Sequence, residues 1–267
     1  MTSATDGRVA VITGASRGLG AGLAAHFASQ GVRLGLCART EPAPLRTRTK
    51  TKGRGRDRGD ETERDDVRVA LDVTDRAALD RFAADVVARF GRIDLWVNNA
   101  GLLGPIGPLA ELNPGDVART VEVDVTGVLH GSAVFAAHVR TRPGPGVLVN
   151  ISSGAATKPY EGWAVYCAAK AAVEQLTRVV ALEEAPHGLA AFAVSPGLVD
   201  TDMQAAVRAA DVASFPEVER FRRAAAEHRF NSPAWVGSHL LALAFGDERT
   251  DSVSVRVPDQ PAAGAIR

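Results

Sequence analysis

The run Arg8-Val9-Ala10-Val11-Ile12-Thr13-Gly14-Ala15-Ser16-Arg17-Gly18-Leu19-Gly20 joins an apolar strand to a helix through glycine. Residues 8–13 read as a buried strand that Gly14 ends at once, and an Ala-rich helix then runs to about residue 30. A strand, a glycine turn and a helix N-terminus form an anion cradle, because free backbone N–H groups and the helix dipole face the same point. The spacing is G-x-x-x-G-x-G rather than the commoner G-x-G-x-x-G. A glycine turn alone is equally a tight connection. Its place at the first strand of a βαβ unit favours a dinucleotide phosphate site.

Residues 32–38 form the second strand, which ends in Cys37-Ala38-Arg39-Thr40. Dinucleotide sites specific for NAD usually carry an acid there, to hold the ribose 2′-OH. Here no acid is present, while Arg39 and Arg17 supply two guanidinium groups. Such forks suit a 2′-phosphate, so NADP(H) is the expected coenzyme; the rival reading is that both arginines solvate a surface.

Strands and helices alternate through the rest of the chain. Residues 67–72 read as a strand, after which Thr74 or Asp75 caps a helix whose apolar face is Leu79, Phe82, Val86 and Phe90. Residues 94–97 are a strand running into Asn98-Asn99-Ala100-Gly101, and Val117, Val121, Val125 and Val128 predict one face of a long helix over 116–139. Strands follow at 146–151 and 189–194, the second leading into Ser195-Pro196-Gly197. Residues 198–230, rich in Ala, Arg and Phe, are expected to form a substrate lid. Ser232 caps and Pro233 opens a helix to about residue 245, before a last strand at 252–257. The expected fold is α/β: a single domain over 1–267 with one doubly wound parallel (Rossmann) sheet of about seven strands and helices on both faces.

Composition narrows the function classes. The 267 residues are 46% hydrophobic, enough for a full core, and Lys+Arg and Asp+Glu both number 31. That balance gives no global pull toward nucleic acid or an anionic membrane. Cys37 and Cys167 make neither a disulfide framework nor a ligand cluster, and a reducing, cytoplasmic setting is expected. Residues 1–8 do not read as a signal peptide, no apolar stretch reaches the ~18 residues of a span, and the six histidines lack metal spacing. A soluble protein without metal is expected.

Residues 41–66 stand apart. Arg46, Arg48, Lys50, Lys52, Arg54, Arg56 and Arg58 alternate with small or polar residues, and an acidic stretch follows. Without apolar periodicity a mobile charged loop is expected. Sharper alternatives are that its basic half tightens over the cofactor's phosphate edge, or touches a polyanion.

The chemistry concentrates in Ser153 to Lys170. Tyr166 and Lys170 are spaced i, i+4, which places them about 5–6 Å apart on one helix face. A phenol near pKa 10 is a poor proton carrier at neutral pH, and an adjacent ammonium favours its ionised form. Ser153, at the end of the 146–151 strand, can offer a hydroxyl to the same substrate oxygen. Chance helix spacing and ordinary turn serines are the bland alternative.

Taken together, Thr13-Gly14-x-x-x-Gly18-x-Gly20, Asp72, Asn98-Asn99-Ala100-Gly101, Ser153, Tyr166-x-x-x-Lys170 and Pro196-Gly197 with Thr201 resemble the short-chain dehydrogenase/reductase family, over residues 8 to about 203. The tail and residues 198–229 resemble its benzil- and sepiapterin-reductase-like branch. The resemblance implies a pyrophosphate site at Gly14, Gly18 and Gly20, flanked by Ser16 and Leu19. It implies adenine contact by Asp72 with Val73 beside it, and Asn99, Ala100 and Gly101 on the adenine–ribose side. Pro196, Gly197, Val199 and Thr201 would meet the nicotinamide end. Tyr166 would donate the proton, Lys170 would lower its pKa and hold the ribose, and Ser153 would orient the carbonyl. Arg17 and Arg39 match the basic positions of NADP-preferring members. Two features depart from the pattern. Asp124 stands where many members carry an Asn in a water relay to the lysine, and the C-terminal segment lacks the usual Asp-Gly-Gly type of ending.

The implied activity is NADPH-dependent reduction of a ketone or aldehyde, or oxidation of the corresponding alcohol. Candidate walls for a hydrophobic or aromatic substrate are Leu102, Leu103, Tyr160, Trp163, Leu198, Met203, Phe215 and Phe221. The alternative is an NADPH-binding sensor or scaffold with little turnover. No nucleic-acid or membrane partner is expected, and the helices over 116–139 and 164–185 would pair copies into a homodimer or homotetramer.

Overall fold

The computed structural model describes residues 5–48, 61–246 and 250–261. Seven parallel strands form one sheet in the order β5-β2-β1-β6-β7-β8-β9. They are β1 (Val9–Thr13), β2 (Arg33–Ala38), β5 (Val67–Ala70), β6 (Leu95–Asn98), β7 (Gly146–Ile151), β8 (Leu189–Ser195) and β9 (Ser254–Arg256). Central strands here are covered on both faces, which is why β1 and β7 are buried at every position rather than alternately.

On one face, α1 (Gly18–Ser29) and α8 (Pro233–Phe245) place Leu23, Phe27, Val236 and Leu240 over Ile12, Leu34 and Val149. On the other face lie α2 (Arg76–Phe90), α4 (Gly127–Arg140) and α5 (Ala164–Glu184), where Trp96 stacks on Phe135 and meets Phe82 edge-on. Asp75 caps α2 by accepting from Ala78 N, and Ser232 caps α8 by accepting from Trp235 N. Gly35 makes room for α2, since a Cβ there would sit 2.5 Å from Val86 Cγ2.

Two expectations are corrected. The helix predicted over 116–139 is not one face of regular α-helix. It comprises α3 (Pro114–Val121), a π turn at Glu122–Thr126 and α4. The π turn re-phases the side chains: Val121 is 42% exposed, while Val123, Asp124, Gly127 and Val128 are buried. Gly127 and Gly131 let α4 lie flush on the sheet, because Cβ atoms there would approach Val73 Cγ2 to 2.6 Å and Asn98 Oδ1 to 2.1 Å.

The second correction concerns residues 41–66. An antiparallel pair, β3 (Arg46–Arg48) with β4 (Glu61–Glu63), flanks a basic stretch of which residues 49–60 lie outside the described residues. The segment is anchored by Leu45, which packs against the core, and by polar groups. Arg64 donates to Val32 O at 2.6 Å and Ala28 O at 3.1 Å, and Asp66 accepts from Leu34 N at 3.2 Å. Among the described residues no helix is long and apolar enough to cross a membrane.

Beneath the sheet's carboxyl edge, Asn98 and Asn150 pair in register, with Asn98 Nδ2 donating to Asn150 Oδ1 at 2.8 Å. Trp96 Nε1 donates to Asn98 Oδ1, and Asn150 Nδ2 donates to Thr177 Oγ1. A satisfied buried network of this kind fixes one register of β6 on β7 and one seat for α5.

His138 of α4 is half-buried and its Nε2 accepts from Ile93 N at 3.1 Å, a bond that requires the neutral ring. Burial, then the Arg142 and Arg92 guanidinium groups, push its pKa down, with Asp94 opposing. A histidine whose folded pKa is depressed contributes stability above the unfolded value and loses it as pH falls. The melting temperature is therefore expected to drop as pH falls through about 6.5, and His138→Gln is expected to flatten that profile. An equally steep profile in the variant would place the acid sensitivity elsewhere.

Candidate active site

The glycine turn sits where the strand order reverses between β1 and β6. Thr13 Oγ1 accepts from Asn99 N and Ala100 N, both at 3.1 Å. Asn99 Nδ2 donates back to Thr13 O at 2.9 Å and Gly14 O at 3.2 Å. Gly14 and Gly18 take positive φ, and a Cβ at Gly20 would lie 2.3 Å from Gly14 O. Among the described residues no side chain caps α1, so its first N–H groups remain available to an anion.

A cleft of about 1200 Å³ opens along this edge. Ser16, Arg17, Gly18 and Leu19 line one end, Arg39, Asp72 and Val73 the adjoining wall, and Asn99, Ala100 and Gly101 the floor. Pro196, Gly197, Val199 and Thr201 close the opposite side, where Thr201 caps α6 (Asp202–Ala209). Arg17 is turned toward Asp202 at 3.4 Å, an exposed pair of little strength. Arg39 is exposed and has no partner among the described residues. Asp72 is engaged by Arg119 Nη2 at 2.5 Å and by the Thr74 N–H and hydroxyl. Burial raises its pKa, but the Thr74 and Arg119 bonds outweigh it and hold the carboxyl below the ordinary value.

Ser153, Tyr166 and Lys170 line the same cleft. Ser153 follows β7 in extended conformation, and its Oγ accepts from Ala155 N at 3.2 Å, which leaves the hydroxyl hydrogen free to donate. Lys170 is buried, its Nζ donating to Ile151 O at 3.1 Å and lying 5.6 Å from the Tyr166 ring centre. Asp124 does not line the cleft but lies behind it: wholly buried, it accepts from Leu102 N at 2.7 Å and faces Lys170 Nζ at 3.9 Å. Burial pushes the Asp124 carboxyl up, against the Lys170 ammonium and the Leu102 N–H.

Sequence reasoning missed Glu174, a buried carboxylate on the cleft wall one turn beyond Lys170. It accepts from the Ser152 and Ser254 hydroxyls and from Arg178. The signal was present in the spacing, since Tyr166, Lys170 and Glu174 recur at i, i+4, i+8.

Of the expected apolar walls, Leu102, Leu103, Tyr160, Trp163, Leu198, Met203 and Phe221 line the cleft. Phe215 is corrected: it is fully buried and stacks behind Trp163, with centroids 4.5 Å apart, so it supports the wall without forming it.

A family model described as short chain dehydrogenase matches residues 8–212. The chain belongs to the short chain dehydrogenase family. It is 30% identical over 237 residues to benzil reductase ((S)-benzoin forming) of Bacillus subtilis (strain 168), across 87% of this chain and 91% of that protein. The KRED1-Pglu enzyme superposes with a TM-score of 0.75 at 29% identity, covering 92% of this chain and 98% of that one. A 3-ketoacyl-(acyl-carrier-protein) reductase from Brucella melitensis complexed with NADH shares the fold, with a TM-score of 0.73 at 24% identity over 95% and 97% of the two chains. As a short chain dehydrogenase, this protein is an oxidoreductase of alcohols and carbonyl compounds that uses a nicotinamide dinucleotide.

The uncapped α1 and the crowded glycines fit the dinucleotide phosphates of this family. Gly20→Ala drives a methyl into backbone, and overpacking of that kind costs about 1–3 kcal/mol. The variant is expected to melt at lower temperature and to lose the rise in melting temperature that NADP(H) or NAD(H) gives the native chain. An undiminished cofactor-induced rise would remove the glycine turn from the binding site.

Proposed function

We propose that this short chain dehydrogenase is an NADPH-dependent carbonyl reductase, running in reverse as an alcohol dehydrogenase, with Tyr166 as proton donor. One observation carries the reading: Ser153, Tyr166 and Lys170 face the cleft that the glycine turn and uncapped α1 also line. The dinucleotide, when bound, supplies the hydride. The chain's part is to hold the carbonyl oxygen and to deliver a proton. Ser153 donates its free hydroxyl hydrogen to that oxygen, and Tyr166 gives it a proton as negative charge develops there. Lys170, held on Ile151 O, presents a positive charge beside the phenol. Trp163, Tyr160 and Phe221 exclude water around the substrate's apolar portion.

The substrate is a hydrophobic, aromatic ketone or diketone. The Tyr160–Trp163–Phe221 wall supports this, and benzil reductase is among the relatives. Residues 198–230 act as its lid within a single reductase domain. Copies pair through α4 and α5, whose outer faces leave Leu129, Val179 and Leu182 exposed, the last at 78%. The free cysteines Cys37 and Cys167 suit a cytoplasmic setting.

Tyr166→Phe is expected to lose about 10²–10⁴-fold in turnover while keeping its affinity for NADPH by fluorescence titration. Wild-type turnover would remove Tyr166 from the proton step. NADPH preference rests on Arg39, since a charged hydrogen bond is worth about 1.5–3 kcal/mol. Arg39→Asp is expected to shift the NADPH:NADH ratio of kcat/KM toward NADH by at least about tenfold. An unchanged ratio would mean the 2′-phosphate is read by other groups.

A further inference from the structure

A buried charge stands behind the cleft, outside the proton step described above. Asp124 lies in the π turn, and one of its oxygens is accounted for: Oδ1 accepts from Leu102 N. Oδ2 is buried with no hydrogen-bond partner among the described residues and faces Lys170 Nζ at 3.9 Å. The same Lys170 Nζ lies 5.6 Å from the Tyr166 ring centre. An ionised Asp124 and an ionised Tyr166 therefore compete for one cation.

We propose that Asp124 is the counter-charge of Lys170, weakening the lysine's hold on ionised Tyr166 so that the site keeps its phenol protonated, the form that can give a proton to a carbonyl oxygen. The inference rests on the reductase reading, in which Tyr166 is the proton donor. Asp124 touches neither cleft nor substrate and acts through Lys170, so it is a positioning residue.

The other charged and titratable groups around this trio are engaged elsewhere. On α5, Glu174 is taken by Ser152, Ser254 and Arg178, and the Cys167 thiol faces Lys158 O. Arg119 of α3 binds Asp72 and Glu122, the other acid of the π turn. His130 of α4 turns Nδ1 to Val73 O. Lys158, in the loop before α5, pairs with Glu217, and Arg220 of α7 (Val218–Ala226) meets Tyr160 and Glu217. A purely structural role for Asp124 needs only Oδ1, which an asparagine would also supply. Among the described residues, the second buried oxygen has Lys170 as its counterpart.

The chain has two tyrosines, Tyr160 and Tyr166. In a Tyr160→Phe background, phenolate absorbance during an alkaline titration reads Tyr166 alone and needs no turnover. Burial works against the Asp124 charge while the Lys170 ammonium and the Leu102 N–H favour it, and an alkaline titration works at the pH end that favours the ionised carboxyl. Adding Asp124→Asn is expected to bring the phenolate in at lower pH by about one unit, and adding Lys170→Met to delay it. In the enzyme with Tyr160 intact, the pH at which alcohol oxidation rises is expected to move down with Asp124→Asn. Asp124→Ser, smaller and also uncharged, is the second variant should the asparagine disturb folding, and it is expected to shift the midpoint in the same direction. A midpoint unmoved or raised in a folded uncharged variant overturns the proposal. Full turnover by Tyr166→Phe overturns the reductase reading instead, so the two failures are distinct.

Discussion

The hydrogen bonds between Thr13 and the Asn99–Ala100 backbone and amide bind the carboxyl ends of β1 and β6 to each other. Each is worth only about 0.5–1.5 kcal/mol net, but they fix a geometry on which the whole cleft depends. β1 and β6 are the strands from which the chain departs in opposite directions, toward β2 and β5 on one side and toward β7, β8 and β9 on the other. Open parallel sheets bind ligands at such a reversal, because the crossing helices diverge and leave a crevice. Clamping the strand ends narrows that crevice until the glycine turn touches its opposite wall. A Cβ at Gly14 would sit 2.7 Å from Ala100 Cα, and one at Gly20 would meet Asn99 Nδ2 at 2.5 Å. The glycines and the Thr13–Asn99 clamp express one constraint from its two sides.

The same logic extends along the carboxyl edge to β7. Helix α5 presents Tyr166, Lys170 and Glu174 as a polar stripe to the sheet, an expensive choice for a buried face. Partners at the ends of the strands offset the cost: Ile151 O for Lys170, and the Ser152 and Ser254 hydroxyls for Glu174. Below them, the Asn98–Asn150–Thr177 network sets the height of α5 on β7. The candidate proton-transfer residues are thus positioned by main-chain oxygens and buried amides, which have little freedom to shift.

How much of this was legible in the sequence depends on whether a feature has a side-chain signature. The buried strands, a cap at Thr74 or Asp75, the Ser232 cap and the glycine turn follow from residue type and spacing, and of the chosen residues all but Asp124 and Phe215 line one cleft. The π turn was not legible, because it is a change of backbone hydrogen-bond partner that no residue type marks. The heptad-like valines 117, 121, 125 and 128 suggested an unbroken face that one inserted residue undoes. The anchoring of residues 62–66 was hidden for a related reason. Arg64 works through carbonyl oxygens of Ala28 and Val32, which no periodicity of side chains can announce. Phe215 was misplaced because an aromatic that faces a ligand and one that backs such a face have the same composition.

That last distinction bears on how the aromatic wall is coupled to the proton donor. Trp163 immediately precedes α5, meets Tyr166 edge-on at 5.4 Å and stacks flat on Phe215 from the segment joining α6 to α7. Gly162, with φ +83°, brings the backbone before Trp163 so close to Ser214 that a Cβ would lie 2.1 Å from its carbonyl oxygen. Lys158 of the same loop donates to Glu217, and Arg220 of α7 donates back to Tyr160 of the loop. The α6–α7 segment is therefore not an independent cover over the cleft; it is packed onto the N-terminal turn of the helix that carries Tyr166. In the reductase reading, residues that shape the substrate's apolar portion also seat the phenol. Substitutions that enlarge the pocket at Trp163 or Phe215 would then alter proton delivery together with substrate fit, and Leu198, which packs against the same cluster, belongs to that seat as well.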